Sequence, residues 1–294
     1  MARIIDGKEL AATVRDRIAH RVQLLRQLGV VVRLDAILVC GEGDAASRVY
    51  AEGQRRRCAD LGIEYQLHEL AAGVTQRDVA HQIRALNADP EVHAIMVHMP
   101  LPEGMDPYRI QSLIAPGKDV EGVNPANIGN IVHGRSSLAP CTALAVMRMI
   151  EFTEVDLRGR VATVVGASNI VGKPVAAMLM QREATVISCN EFTREIRGLT
   201  TQADVLVAAA GVPGLVHGDW VRPGAIVIDV GINRVRQDDG SHRTVGDVAF
   251  EEACEAIGDE GWISPVPGGV GPVTVAVLME NVVAAAEAEG KAGE

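Results

Sequence analysis

The feature that most constrains this chain is a regular alternation of short apolar runs with amphipathic helical segments. In the second half, the sequence predicts helices beginning at Val171 and after Thr193, between strands at residues 160–165, 184–189, 204–209 and 225–229. The first half shows the same alternation, with predicted strands at residues 34–39, 63–70 and 93–98. A repeated strand–helix–strand order is typical of parallel sheets with right-handed crossovers. The pattern therefore predicts an α/β fold.

The alternation is interrupted between residues 115 and 140. This segment is rich in Gly, Pro and Asn and lacks sustained periodicity, and a helix is predicted after Thr142. We therefore place a domain boundary near residue 140. With 294 residues, of which 48% are hydrophobic, the chain is long enough for two domains with separate cores. The last apolar stretch, Val273 to Ala288, predicts one amphipathic helix.

Composition argues against several kinds of partner. The chain has a net charge of −10 and only 3% aromatic residues, so it lacks the basic and aromatic surface that nucleic acids require. No segment approaches about 18 uncharged apolar residues, and the N-terminus lacks an apolar signal core, so we expect no membrane association and a cytoplasmic location. The cysteines are scattered without CxxC or Cys/His pairing, which predicts reduced thiols and no metal site: Cys40, Cys58, Cys141, Cys189 and Cys254. A small-molecule partner is the remaining expectation.

A glycine-containing turn follows the predicted strand at residues 160–165. It begins with Gly166, Ala167 and Ser168 and reaches Gly172, where a helix begins. Such a turn can bring backbone N–H groups and a helix N-terminus to a pyrophosphate. Ser168 replaces the middle glycine of the GxGxxG pattern and the spacing is longer, so a turn without a ligand remains an open alternative.

An acidic residue follows the next predicted strand. Glu191 lies 25 residues after Gly166, close to where a carboxylate binds the ribose hydroxyls of NAD. A carboxylate there would repel the additional phosphate of NADP, so Glu191 favours NAD. A solvated charge at a strand end is the alternative.

Five motifs in order resemble the methylenetetrahydrofolate dehydrogenase/cyclohydrolase family of the FolD type: Val97–Pro102, Lys118–Pro125, Gly166–Pro174, Asp229–Asn233 and Pro265–Thr274. The resemblance extends from Ile4 to the last helix. It implies a homodimer in which a folate-binding catalytic α/β domain, residues 1–140 completed by the C-terminal helix 273–289, faces a Rossmann domain, residues 141–272, across a cleft. It also implies oxidation of 5,10-methylenetetrahydrofolate to the methenyl form with NAD or NADP, followed in most members by hydrolysis to 10-formyltetrahydrofolate.

The resemblance also implies roles for individual residues. Tyr50 is expected to stack on the pterin, and Glu121 occupies the position of an aspartate that binds the pterin's polar edge. Cofactor contacts are expected from Gly166, Ala167, Ser168 and Ile232, and a pocket-lining loop from Pro267, Gly268, Gly269 and Thr274.

Three substrate-side positions depart from the family pattern. Gln54 replaces the catalytic lysine of the Tyr-x-x-x-Lys motif, His98 replaces a glutamine, and Glu121 replaces the aspartate. Hydride transfer moves no proton and depends on orientation, whereas hydrolysis needs a group that exchanges protons. Glutamine cannot do so at neutral pH. We therefore expect a dehydrogenase whose cyclohydrolase activity is weak or lost.

Three alternatives remain open at this stage. His98 could carry protons in place of the lysine and preserve a bifunctional enzyme. The chain could instead be a catalytically reduced paralogue that binds folate and a dinucleotide. A third possibility is an enzyme of the same architecture that acts on another one-carbon or imine substrate.

Overall fold

The computed structural model describes residues 1–40, 45–135, 138–237 and 239–292. The chain forms two compact units. The N-terminal unit comprises Thr13–Cys141 and Leu278–Glu294, and the Rossmann unit comprises Met1–Ala12 and Thr142–Val277. The first twelve residues thus belong to the Rossmann unit, a placement that the sequence pattern did not reveal.

The helices and strands alternate along the chain as follows: β1 (Arg3–Ile4), α1 (Gly7–Gln27), β2 (Arg33–Cys40), α2 (Ala45–Asp60), β3 (Glu64–Ala71), α3 (Gln76–Ala88), β4 (Ala94–Val97), α4 (Pro107–Gln111), α5 (Pro125–Val132), α6 (Cys141–Phe152), β5 (Val161–Val165), α7 (Gly172–Gln181), β6 (Thr185–Cys189), α8 (Ile196–Thr200), β7 (Val205–Ala208), β8 (Ile226–Asp229), β9 (Asn233–Arg236), β10 (His242–Val245), α9 (Phe250–Ile257), β11 (Trp262–Ile263) and α10 (Val270–Ala292).

The N-terminal unit is built on a parallel sheet with strand order β3-β2-β4. Helix α3 packs on one face, where its buried residues Val79 and Ile83 join a cluster with Ile37 and Ile95 of the sheet. Helix α2 packs on the other face, where Ala51 lies in a second cluster of buried residues. The carboxyl ends of the three strands therefore lie at one edge, and α2 begins there.

The Rossmann unit contains a parallel sheet with strand order β1-β11-β8-β7-β5-β6. Strands β9 and β10 form a separate antiparallel pair. The predicted strands of both units are confirmed to within one or two residues at each end. The central strands are the apolar runs that become buried, whereas β3 and β6 are partly exposed edge strands.

The segment between residues 115 and 140, predicted to lack regular structure, contains α5. Asn124 caps this helix by accepting a hydrogen bond from the Ala126 N–H, and Pro125 occupies its first turn. Gly, Pro and Asn are typical of loops, so composition does not predict this helix, although Asn124 and Pro125 here form its N-terminus.

Helix α10 is longer than the predicted 273–289. Its segment Val270–Glu289 is long and apolar enough to span a membrane by length and composition, which the sequence prediction did not anticipate. However, 61% of its apolar 18-residue stretch is buried inside the fold. Its apolar side chains, such as Val282 and Val283, are therefore used in core packing.

Candidate functional site

Three of the predicted catalytic residues meet at the carboxyl edge of the β3-β2-β4 sheet. Tyr50 and Gln54 lie one turn apart on α2, and His98 directly follows β4. The Tyr50 and His98 rings meet edge to face, with centroids 5.8 Å apart and an interplanar angle of 89°. Tyr50 is 56% exposed, whereas Gln54 and His98 are 1% and 5% exposed. The site thus has an accessible aromatic ring above buried polar groups.

A further residue, Tyr65 of β3, contacts this group. Its hydroxyl lies 3.1 Å from His98 Nε2. Burial lowers the pKa of His98 and raises that of Tyr65, so the ring is neutral and the phenol protonated at neutral pH. Tyr65 belongs to no recognisable sequence motif, because its contact with His98 depends on strand pairing.

Glu121 lies on a turn beside β4. The Val97 N–H donates a hydrogen bond to its carboxylate. The residue as a whole is partly exposed, but its Oε2 atom is enclosed and has no hydrogen-bond partner among the described residues. Burial, reinforced by the nearby Asp119 carboxylate, raises the pKa of Glu121 to about 7.

The turn that carries Glu121 is fixed by buried hydrogen bonds. Asp119 accepts bonds from the Asn124 N–H, 2.7 Å, and the Asn127 side-chain amide, 2.9 Å. Asn281 of α10 donates to the Val120 carbonyl at 2.8 Å. Gly122 has φ +68°, and a Cβ there would lie 2.0 Å from the Ala139 carbonyl carbon. The Glu121 carboxyl group is therefore held in a rigid segment.

Among the described residues, three buried polar atoms of α2 and of the Glu121 turn have no hydrogen-bond partner, namely Gln54 Nε2, Asp119 Oδ1 and Glu121 Oε2. Buried polar atoms are almost always hydrogen-bonded in folded proteins, and exceptions mark places where a ligand or water binds. Gln54 offers a donor and Glu121 an acceptor. A ligand group that reaches either side chain would satisfy it with the complementary acceptor or donor.

The glycine turn of the Rossmann unit connects β5 to α7. Gly166 has φ +107°, and a Cβ there would lie 2.1 Å from the Ala209 carbonyl oxygen, so only glycine fits. Ser168 Oγ accepts hydrogen bonds from the N–H groups of Val171 and Gly172, at 3.2 and 3.4 Å. The exposed Ser168 side chain therefore stabilises the turn where the motif has a glycine.

The other predicted cofactor residues of this unit lie at the same sheet edge. Glu191 is exposed and follows the end of β6, which pairs with β5. The Gly166 N–H donates a hydrogen bond of 3.0 Å to the carbonyl of Cys189, the last residue of β6. Ile232 follows β8 and is 70% exposed. The carboxyl edge of a parallel sheet is where dinucleotides bind in such folds.

The proline–glycine segment of this unit lines a small cavity of about 190 Å³, with Asp229–Ile232, Thr244 and Pro265–Pro272 around it. Pro267, Gly268 and Gly269 belong to the lining. Thr274, expected in the same loop, lies inside α10, and its hydroxyl donates to the Val270 carbonyl at 3.1 Å. Thr274 thus lies in the predicted C-terminal helix, and the loop is shorter than the resemblance implies because the helix begins at Val270, three residues before the predicted start.

Two buried aspartates hold the loops beside this cavity. Asp229 accepts bonds from the N–H groups of Gly231, Asp247 and Val248, at 2.9–3.0 Å. Asp247 accepts bonds from Ala210 and Gly211, at 2.6 and 2.8 Å. Burial raises the pKa of Asp229 to about 6. Among the residues described, no cluster of His, Cys, Asp or Glu could hold a metal ion.

Comparison with known families gives two matches. Residues 5–121 match the description "Tetrahydrofolate dehydrogenase/cyclohydrolase, catalytic domain". Residues 140–290 match "Tetrahydrofolate dehydrogenase/cyclohydrolase, NAD(P)-binding domain".

Individual relatives resemble the chain along its whole length. It is 46% identical to the bifunctional protein FolD of Moorella thermoacetica, over 97% of this chain and 99% of the relative. The crystal structure of FolD from Campylobacter jejuni has a TM-score of 0.90 at 39% identity, covering 98% of this chain and 99% of that one. The Trypanosoma brucei FolD structure, complexed with NADP and an inhibitor, has a TM-score of 0.88 at 35% identity and covers 99% of each chain.

Proposed function

Because the chain belongs to the tetrahydrofolate dehydrogenase/cyclohydrolase family, we propose that it oxidises 5,10-methylenetetrahydrofolate to the 5,10-methenyl form with NAD or NADP. We further propose that its cyclohydrolase activity is weak or lost. The observation that carries the second part is Gln54, a neutral and buried side chain at the position of the family's lysine.

The Rossmann unit fits a dinucleotide. The close approach at Gly166 leaves no room for a side chain, and the turn through Ser168 leads directly into the N-terminus of α7. Gly166, Ala167, Ser168 and Ile232 would hold the cofactor, and Glu191 would face the ribose. When bound, the nicotinamide supplies the hydride acceptor.

The N-terminal unit would bind and orient the folate. The exposed Tyr50 ring offers a stacking surface, held edge-on by His98. Gln54 Nε2 and Glu121 Oε2 offer the unpartnered donor and acceptor that the polar edge of a pterin can satisfy. Pro267, Gly268 and Gly269 remain proposed substrate contacts on the family resemblance, and Thr274 would act only through the start of α10. These contacts would orient the folate, and hydride transfer depends on the orientation of the substrate.

Hydrolysis requires a group that takes a proton from water and returns one to nitrogen. Gln54 cannot do this. His98 is a poor substitute, because burial disfavours its charged form and Tyr65 contacts its Nε2. The geometry therefore supports a dehydrogenase more than a bifunctional enzyme using His98.

A paired assay tests the proposal. We expect NADH or NADPH to form with methylenetetrahydrofolate, and methenyltetrahydrofolate to hydrolyse at close to its uncatalysed rate. Gln54→Lys should raise hydrolysis by about 10²–10⁴-fold, since that is the usual contribution of acid–base catalysis. Gln54→Met, which cannot exchange protons, is the matched control.

Two results would contradict the proposal. Strong wild-type hydrolysis that is lost in His98→Ala would show that His98 replaces the lysine. Tight binding of folate and dinucleotide without turnover would instead indicate a binding protein.

We also propose a cytoplasmic homodimer, with no nucleic-acid or membrane partner. The family resemblance supports the dimer, and the unpaired cysteines support a reducing compartment. Sedimentation equilibrium of the purified chain would test the oligomeric state.

A further inference from the structure

The three exchanged positions of the N-terminal unit change which group in the site can ionise near neutral pH. Gln54 is neutral at every physiological pH. His98 is buried beside Tyr65 and favours its neutral form. Glu121 is then the one predicted catalytic side chain of this unit that can change charge near neutral pH.

Among the described residues, no cation forms an ion pair with Glu121 or lowers its pKa. Strand β4 contributes the Val97 N–H, and the turn itself contributes Asp119, a second buried carboxyl group whose pKa is also raised by burial and whose negative charge raises the pKa of Glu121. Helix α6 begins with Cys141, whose pKa is raised by burial, so it stays a neutral thiol. From α10, the amide of Asn281 binds the adjacent Val120 carbonyl.

The nearest lysine in sequence is engaged elsewhere. Lys118 donates to the Asp89 carbonyl at 2.7 Å and lies 3.7 Å from Glu289. Within the described part of the chain, the enclosed Glu121 Oε2 therefore has neither a cation nor a hydrogen-bond donor as a partner. In the family motif, by contrast, the lysine supplies a positive charge to the same site.

Hydride transfer creates a positive charge in this site. The C–H bond of the carbon between N5 and N10 breaks, its electron pair leaves with the hydrogen for the nicotinamide C4, and the carbon becomes part of a cation spread over both nitrogens. No proton enters or leaves. A carboxylate lowers the energy of this developing cation, whereas an ammonium group raises it.

On the basis of the proposed function, we propose that Glu121 controls hydride transfer in this chain through its own ionisation. The deprotonated carboxylate provides the counter-charge for the methenyl cation and accepts N–H bonds from the pterin edge. The protonated carboxyl group provides neither. Replacement of lysine by glutamine would then favour oxidation as well as disfavour hydrolysis, because it removes a like charge from the product cation.

The pH dependence of kcat/KM with NAD tests this inference, since it reports groups of the free enzyme. Between pH 5.5 and 8.5, we expect the wild-type value to rise about tenfold per unit below pH 7 and to level off above it. Glu121→Gln should give a flat profile at least tenfold lower at pH 8. The exposed Glu103→Gln is the matched control and should follow the wild type. A deuterated bridging carbon would confirm that hydride transfer limits the rate.

Two further measurements separate a catalytic from a structural role. Glu121→Asp should keep the rise with pH, and Gln54→Lys should move it at least one unit lower, because a neighbouring cation favours the carboxylate. Difference infrared spectra of wild type minus Glu121→Gln should show a carboxyl band that titrates near pH 7, a readout independent of activity.

Specific results would overturn the inference. An active wild type with a flat profile would do so, as would a rise that persists in Glu121→Gln. Absence of NADH and NADPH formation by the wild type at every pH would overturn the proposed dehydrogenase itself, and is therefore distinguishable from either.

Discussion

The Glu121 carboxyl group links activity to stability at the level of one residue. Because its pKa is raised from 4.5 to about 7 in the folded chain, the folded state binds a proton more tightly than the unfolded state between these values. The free energy of unfolding must then fall as pH rises through this window. Above about pH 7 the Glu121 carboxyl group is ionised in both states, and the free energy of unfolding falls no further on its account.

This predicts a stabilising substitution. The change in the free energy of unfolding caused by Glu121→Gln should be about 1–3 kcal/mol more favourable at pH 8 than at pH 4.5. The reason is that the amide carries no charge to bury. Urea denaturation at both pH values measures the difference, with Glu103→Gln as the exposed control. An equal effect at both pH values would show that the carboxyl group is not destabilised by burial.

Glu191 supports a second prediction for a single residue. Glu191→Arg should raise the ratio of kcat/KM for NADP over NAD by about 10–100-fold, because it exchanges repulsion of the additional phosphate for a charge-assisted bond. The comparison variant is Glu255→Arg, an exposed site on α9 of the same unit. A wild type that already prefers NADP would refute the role given to Glu191.

Site residues that belong to motifs differ from those that reach the site only through the fold. Gln54, His98 and Glu121 could be located because they occupy positions in motifs. Tyr65 could not, because its hydroxyl reaches His98 only through the pairing of β3, β2 and β4. Thr274 was assigned both to the end of the pocket-lining loop, by the family resemblance, and to the predicted helix from Val273, and the structure confirms the helix.

The helices and strands that contain a sustained apolar pattern could be predicted from the sequence. Those that form only by pairing with residues far away in the sequence could not. Strand β1 has two residues, and it pairs with β11 about 260 positions later, as Arg3 aligns with Trp262. No local periodicity can reveal such a strand. The antiparallel pair β9 and β10 is similarly polar on its exposed side, with Arg234 and Arg236 exposed, so it lacks the apolar run used to find strands.

The loops beyond β7 and β8 depend on a buried carboxylate, which gives an element-scale prediction. Asp247 Oδ2 accepts bonds from the N–H groups of Ala210 and Gly211. Asp247→Asn should lower the free energy of unfolding by about 1–3 kcal/mol, since an amide nitrogen cannot replace either acceptor oxygen without leaving a buried donor unsatisfied. Asp219→Asn, an exposed residue that pairs with Arg197, is the control and should cost less than about 1 kcal/mol. Equal losses in both variants would contradict this role.

At the scale of the whole molecule, the chain order makes both units discontinuous. Helix α1 begins in the Rossmann unit and continues in the N-terminal unit, and α10 does the same near the C-terminus. The chain therefore passes from one unit to the other three times, namely within α1, after Cys141 and within α10. The predicted division near residue 140, with the C-terminal helix completing the N-terminal domain, includes part of this interleaving but not the place of residues 1–12 in the Rossmann unit.

The net charge of −10 should affect how fast the ligands reach the protein, because folate and the dinucleotides are anions as well. Long-range repulsion should slow their approach, and salt should relieve it as the Debye length falls from about 30 Å at 0.01 M to about 8 Å at 0.15 M. We expect kcat/KM for the dinucleotide to rise about two- to tenfold over this range. NADP, with its additional phosphate, should show the steeper rise and NAD the shallower one, while kcat at saturation stays nearly constant. A kcat/KM that falls with salt for both cofactors would mean that local cationic groups outweigh the net charge, and binding would then be governed by the site rather than by the field of the molecule.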